Sequence, residues 1–168
     1  MSAILELSAT SPLWEPEERW RVLIERAVAA CGRALGPEWP DRPVSVLLCG
    51  DRDIQDLNHR WRNQNKPTNV LSFPAGGPDT PDAPLGDIAL AWETIEREAR
   101  GEGKGIDNHV THLAVHGVLH LLGFDHETDE DAAAMEDEER RILQTLGVPD
   151  PYASQDGPLD GPCEGLTR

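Results

Sequence analysis

HGVLHLLGFDH, residues 116–126, is the stretch on which the reading of this chain turns. In a helix, residues four apart share a face, so His116 and His120 point the same way and can hold one ion between them. Gly123 is the residue type that turns left-handed at a helix C-terminus, and such a turn lets the chain double back and bring His126 to the same point. Three neutral imidazoles with a fourth position open are the ligand set of catalytic rather than structural zinc. A lone histidine in an apolar helix is ordinarily a satisfied core or surface residue, but three at this spacing, with glycine where the turn must fall, point to a metal. The expected ligands are therefore His116, His120 and His126, holding one zinc ion per chain. His112, one turn earlier on the same face, and His109, near the helix start, are expected to support the site or to sit at the polar surface.

The helix carrying these residues is predicted over 107–122, and it is the most apolar of the chain: Val110, Leu113, Ala114, Val118, Leu121 and Leu122 surround the histidines. It is the expected central helix. Upstream, strands are predicted over 3–8, 43–49, 69–73 and 85–91. Helices are predicted over 15–35, over a segment opened by Asp51 as N-cap and carrying Ile54, Leu57 and Trp61, and over 93–100. Residues 74–84, with four prolines and two glycines, read as a loop. A last, strongly acidic helix is predicted over 130–146. Strands and helices interleave without strict alternation, and no glycine-rich phosphate loop is present. The expected fold class is α/β: a small single-domain sandwich over residues 1–150, a mixed four-stranded sheet packed with helices, the central helix bearing the metal ligands. Residues 151–168, rich in Pro, Gly and Asp, are expected to be a disordered tail.

A length of 168 residues, 38% of them apolar, suits one core. No run of eighteen apolar residues appears, and the N-terminal stretch lacks the pattern of a signal peptide, so the expected location is the cytoplasm, away from membranes. Cys31, Cys49 and Cys163 are odd in number and contain no C-x-x-C pair, which argues for inert thiols rather than disulfides or a cysteine metal site. The net charge of −16 counts against general nucleic-acid binding. Its distribution softens that objection: residues 125–168 carry 3 basic and 13 acidic groups, whereas between Leu57 and Pro78 there are three cations, Arg60, Arg62 and Lys66, and no acid.

The histidine spacing is that of the H-E-x-x-H-x-x-G-x-x-H zinc peptidases, but Gly117 stands where those enzymes carry the glutamate that relays a proton. A water on zinc has a pKa of about 7, so hydroxide is available without a strong neighbouring base. Cleavage of a phosphodiester asks instead for a cation beside the phosphoryl oxygens. Glycine therefore weakens the peptidase reading and leaves phosphoryl chemistry open.

HGVLHLLGFDH, together with LNHRWRNQNKPTNVLSFP (57–74) and LGDIAL (85–90), resembles the YbeY family of bacterial rRNA maturation factors over about residues 44–146. The resemblance implies a zinc-dependent, single-strand-specific endoribonuclease acting in 16S rRNA 3′-end maturation and ribosome quality control, with rRNA, the small ribosomal subunit and ribosome-associated proteins as partners and no role on DNA. It implies His116, His120 and His126 as zinc ligands, and Arg62, with His116, as catalytic. Trp61 and Phe124 stand where the family usually has tyrosine. Arg60 and Lys66 are further candidates for backbone contacts, Asp87 for orienting a ligand imidazole, and Asp125 for a proton acceptor or a turn residue. The acidic run 125–139 reads as a solvated face that would keep RNA on the Arg62 side. Two other readings stay open: a ribosome-assembly factor with structural zinc, and a zinc hydrolase of another substrate class.

Overall fold

The sheet is built from four short strands in the order β1-β2-β4-β3. These are β1 (Leu5–Ala9), β2 (Val44–Cys49), β3 (Val70–Pro74) and β4 (Gly86–Ala91). β1, β2 and β4 run parallel, and β3 pairs antiparallel with β4, placing Ser72 opposite Ile88. Five helices complete the chain: α1 (Glu17–Leu35), α2 (Asp51–Arg62), α3 (Trp92–Gly101), α4 (Ile106–Leu121) and α5 (Asp129–Thr145). This computed structural model describes residues 5–39, 42–75, 83–125 and 127–152. The expected mixed α/β sandwich is borne out, with element ends shifted by one or two residues.

Alternation along the strands sorts side chains onto the two faces. Val46 and Leu48 of β2 and Ile88 and Leu90 of β4 join the larger core, with α1, α4 and α5 supplying Ile24, Val118, Leu119 and Ile142, all fully buried. Leu71, Ala89 and Ala91 face the other way and pack with Ile54 of α2. α4 is wrapped by neighbours, as its composition predicts: Val110, Val115, Val118 and Leu119 are fully buried. Burying each such aliphatic side chain is worth about 1.5–3 kcal/mol.

One cap differs from expectation. Asp51 is the first residue of α2, with Gly50 as its N-cap. The Asp51 carboxylate instead accepts from the Thr94 N–H and Oγ1 at the start of α3, while Glu93 accepts from the Asp51 N–H at 2.8 Å. The two helices cap each other. A second correction concerns Trp61, counted above with the apolar positions of α2: it is 66% exposed. Pro151 and Tyr152, assigned to a tail by composition, form a turn in which Tyr152 is buried. Residues 153–168 lie outside the described residues. So do Ala3 and Ile4 of the first predicted strand, and most of the proline-rich loop. No described helix is long and apolar enough to cross a membrane.

Candidate metal centre

His116 and His120 lie on one face of α4 with ring centroids 4.6 Å apart and planes at 77°. Both line a cleft of about 510 Å³ that Arg62, Lys66 and Thr68 border from one side and Phe124 and Asp125 from another. Gly123, just after α4, adopts φ of 103°, the positive-φ conformation that its sequence position predicts. His126 lies outside the described residues. Arg62 reaches the cleft from the last turn of α2, which Asn63 ends in the left-handed conformation. Its Nη2–H donates to the Ser72 carbonyl at 2.6 Å, and its guanidinium lies 5.4 Å from the Phe73 ring centroid. Ser72 Oγ in turn donates to the carbonyl of Gly117, the residue directly after His116. The arginine is moored to β3, and β3 to the histidine helix.

Behind the histidines sits a carboxylate that the sequence reading did not single out. Glu139 of α5 has no exposed surface. Its Oε2 accepts from His116 Nδ1–H at 2.5 Å, and its Oε1 accepts from His112 Nε2–H at 3.0 Å and from the Tyr152 hydroxyl at 2.5 Å. Burial alone would raise its pKa, but the hydrogen bonds from His112 and His116 overcome this and hold the carboxyl well below the usual range. Burial lowers the pKa of His112, against the pull of Glu139. Among the described residues, His112, His116 and Glu139 form a group with the composition to hold a metal ion, one ligand atom of each lying within 4.8 Å of the others. An ion placed among those three would displace both histidine hydrogen bonds of a fully buried carboxylate. An ion on the His116–His120 side leaves them intact, with Glu139 fixing the His116 ring from behind, the arrangement common to histidine ligands of metals. The two imidazoles on the cleft side, His116 and His120, are donors of the kind that transition metals take.

Gly117 acquires a packing reason. A Cβ there would come within 3.0 Å of Ile88 Cδ1 and 3.2 Å of Ser72 Oγ. A side chain at this position would start against the sheet, where Ile88 and Ser72 already pack.

The other predicted residues divide clearly. Lys66 lines the cleft beside Thr68, whereas Arg60 pairs with Asp56 on the exposed side of α2. Asn58, buried in α2, donates to the Lys66 carbonyl and so shapes the loop that carries that cation. Asp87 does not orient an imidazole: strand alternation turns it to the sheet face opposite α4, into a separate depression with Glu6 and Ser45. Glu139 takes that role instead, which also removes it from the solvated acidic face expected over 125–139. Asp125 accepts from the Glu127 N–H, the turn role. His109 Nε2 meets Glu98 at 2.9 Å, away from the cleft. Cys31 and Cys49 are buried and their pKa values are pushed up to about 12, chiefly by burial, so both are inert thiols. Cys163 lies outside the described residues. Glu139 had one sequence signal: it falls on the apolar stripe of α5 with Met135, Ile142 and Leu143, where a carboxylate needs a partner.

Comparison with known proteins gives one consistent result. Residues 9–147 match the family model described as Endoribonuclease YbeY. An Endoribonuclease YbeY of Rhodopseudomonas palustris strain BisA53 is 50% identical over 156 residues, covering 90% of this chain and 91% of the relative. One of Nitrobacter hamburgensis is 47% identical over 157 residues, covering 90% and 83%. The solution structure of TM1509 from Thermotoga maritima superposes with a TM-score of 0.61 at 22% identity, covering 98% of this chain and all of that one, a likeness of fold.

Proposed function

The chain belongs to the endoribonuclease YbeY family, and from that premise we propose that it is a zinc-dependent endoribonuclease of single-stranded RNA, with His116, His120 and His126 as metal ligands and Arg62 as the catalytic cation. Its place of action is the cytoplasm, on rRNA of the small ribosomal subunit, in 16S rRNA 3′-end maturation and ribosome quality control. The observation that carries this reading is the convergence of His116, His120 and Arg62 on one open cleft.

Zinc, when bound, supplies Lewis acidity and an acidified water for attack on phosphorus. The remaining work falls to the chain. Arg62 presents a charge that does not titrate at physiological pH, and its anchorage to the Ser72 carbonyl fixes where a phosphate is received. Lys66 adds a second cation at the rim. Trp61, exposed beside Arg62, offers a face on which an unpaired base stacks, and a duplex has no such base to give. That asymmetry supports the single-strand preference. Glu139 holds His116 from behind, and Gly117 keeps the helix close against the sheet.

The test is cleavage of a structured rRNA precursor by the zinc-loaded full chain, compared with His116→Ala and Arg62→Ala. Wild type is expected to cut at discrete single-stranded positions while both variants bind RNA and cut at least about 10²-fold more slowly. If all three proteins bind equally and none cuts, the chain is an assembly factor and the proposal fails.

A further inference from the structure

The sequence made His112 a supporting residue and left Glu139 in an acidic run and Tyr152 in a tail, yet the three meet in one buried cluster behind the candidate metal face. Tyr152 is held there independently of Glu139. Asp150 accepts from the Tyr152 N–H at 2.8 Å, Arg140 pairs with Asp150 at 3.2 Å, and the Arg140 guanidinium lies 5.2 Å from the Tyr152 ring centroid. The ring also meets His112 edge to face, with centroids 5.7 Å apart. The segment after α5 is thus strapped back onto that helix, and its tip is the Tyr152 hydroxyl on Glu139 Oε1.

We propose that Glu139 is the positioning residue of the metal centre, and that the Tyr152 strap and His112 hold it in register. The proposal rests on the assignment of His116 and His120 as ligands. All three partners of Glu139 present a proton: His116 Nδ1–H to one oxygen, His112 Nε2–H and the Tyr152 hydroxyl to the other. A carboxylate accepts all three, because it has two oxygens and no hydrogen. An amide of the same shape cannot, since its NH2 must face either His116 or the His112–Tyr152 pair, donor against donor. With Glu139 accepting at Nδ1, His116 is fixed as the Nδ1–H tautomer, which assigns metal ligation to Nε2. Its ring orientation follows as well, because Glu139 has no exposed surface and no room to swing. Glu139 belongs to α5 and Tyr152 to the strap, so the ligand geometry of α4 is set by the C-terminal part of the chain.

The experiment is zinc binding to the stripped full chain by competition with a chromophoric chelator, for wild type, Glu139→Gln, Tyr152→Phe and His120→Ala. Nitrogen-15 NMR of the His116 ring in the zinc-free proteins accompanies it. Glu139→Gln is expected to weaken zinc binding by about 10- to 100-fold and to move His116 away from the pure Nδ1–H tautomer, a signature that general loss of stability does not produce. Tyr152→Phe, which removes one hydroxyl from a packed ring and leaves the fold intact, is expected to weaken zinc binding by roughly threefold to tenfold. The proposal is overturned if both variants bind zinc as wild type does, or if Glu139→Gln weakens zinc binding with His116 still wholly in the Nδ1–H tautomer. Should Glu139→Gln fail to fold, the Tyr152→Phe affinity decides alone. His120→Ala separates the two claims: if it leaves zinc affinity unchanged, the ligand assignment fails, whatever the Glu139 variants do.

Discussion

Gly117 is the residue at which a familiar motif and this site part company. Its missing side chain first reads as the loss of a proton relay, but its Cβ direction shows that α4 rides directly against Ile88 and Ser72. Gly117→Glu is therefore expected to bury an unpaired carboxylate and to destabilise the protein by about 3–5 kcal/mol, measured as a shift in urea midpoint, without any gain of peptidase activity. Trp61 teaches the converse lesson. Its helical spacing from Ile54 and Leu57 suggests an apolar face, whereas the short α2 buries Ile54 and Asn58 and leaves Trp61 in solvent. Trp61→Ala is expected to cut the affinity for a single-stranded oligonucleotide by roughly 5- to 150-fold, the loss of one stacked base, while Trp61→Phe retains most of it. Equal affinity of Trp61→Ala and wild type in a fluorescence-anisotropy titration would remove the stacking platform.

At the scale of elements, capping and buried carboxylates join pieces of chain that the sequence presents far apart. α2 and α3 are capped by each other's acids, 42 residues apart. Asp51→Ala is expected to cost about 1–2 kcal/mol in denaturant unfolding with RNA affinity unchanged, because the capped ends lie away from the cleft. Glu98 makes a similar junction: it accepts from Asn69, just before β3, and meets His109 of α4. Burial would raise its pKa, but these hydrogen bonds lower it below the usual carboxylate value. Because the folded protein binds this proton less readily than the unfolded chain, the stability that Glu98 contributes is complete above the unfolded pKa of about 4.3 and falls as pH drops below it. The stability difference between wild type and Glu98→Gln should therefore be constant from pH 7 to pH 6 and shrink in acid. A gap that widened on acidification would contradict this.

For the whole molecule, what was legible in the sequence follows from where each signal resides. The α/β class, the central helix and the His116–His120 pair depend on periodicity within single elements, and one sequence carries that directly. Arg62 became legible only through its setting in a longer block, since a lone arginine after a tryptophan has no spacing to test. Tyr152 was out of reach and Glu139 showed only as a carboxylate on an apolar stripe, because their meaning arises only when α5 and the strap dock behind α4. Asp87 misled for the same reason: its place within the LGDIAL block is undone by the pleat, which turns it to the other side of the sheet. The charge of the chain is also arranged rather than averaged. Acidic groups crowd the exposed side of α5, while Arg62 and Lys66 border the cleft, so a strongly acidic protein keeps a cationic approach for RNA.

The central claim is tested most directly by single-turnover cleavage of one RNA sequence, presented single-stranded and as a duplex, by stripped and zinc-reloaded full-length protein alongside Arg62→Ala. The account predicts cleavage of the single strand alone, abolished by stripping and restored by zinc, and about 10²- to 10³-fold slower in Arg62→Ala at similar RNA affinity. Cleavage that survives stripping and the Arg62 substitution, or that is absent from the zinc-loaded wild type, would contradict it.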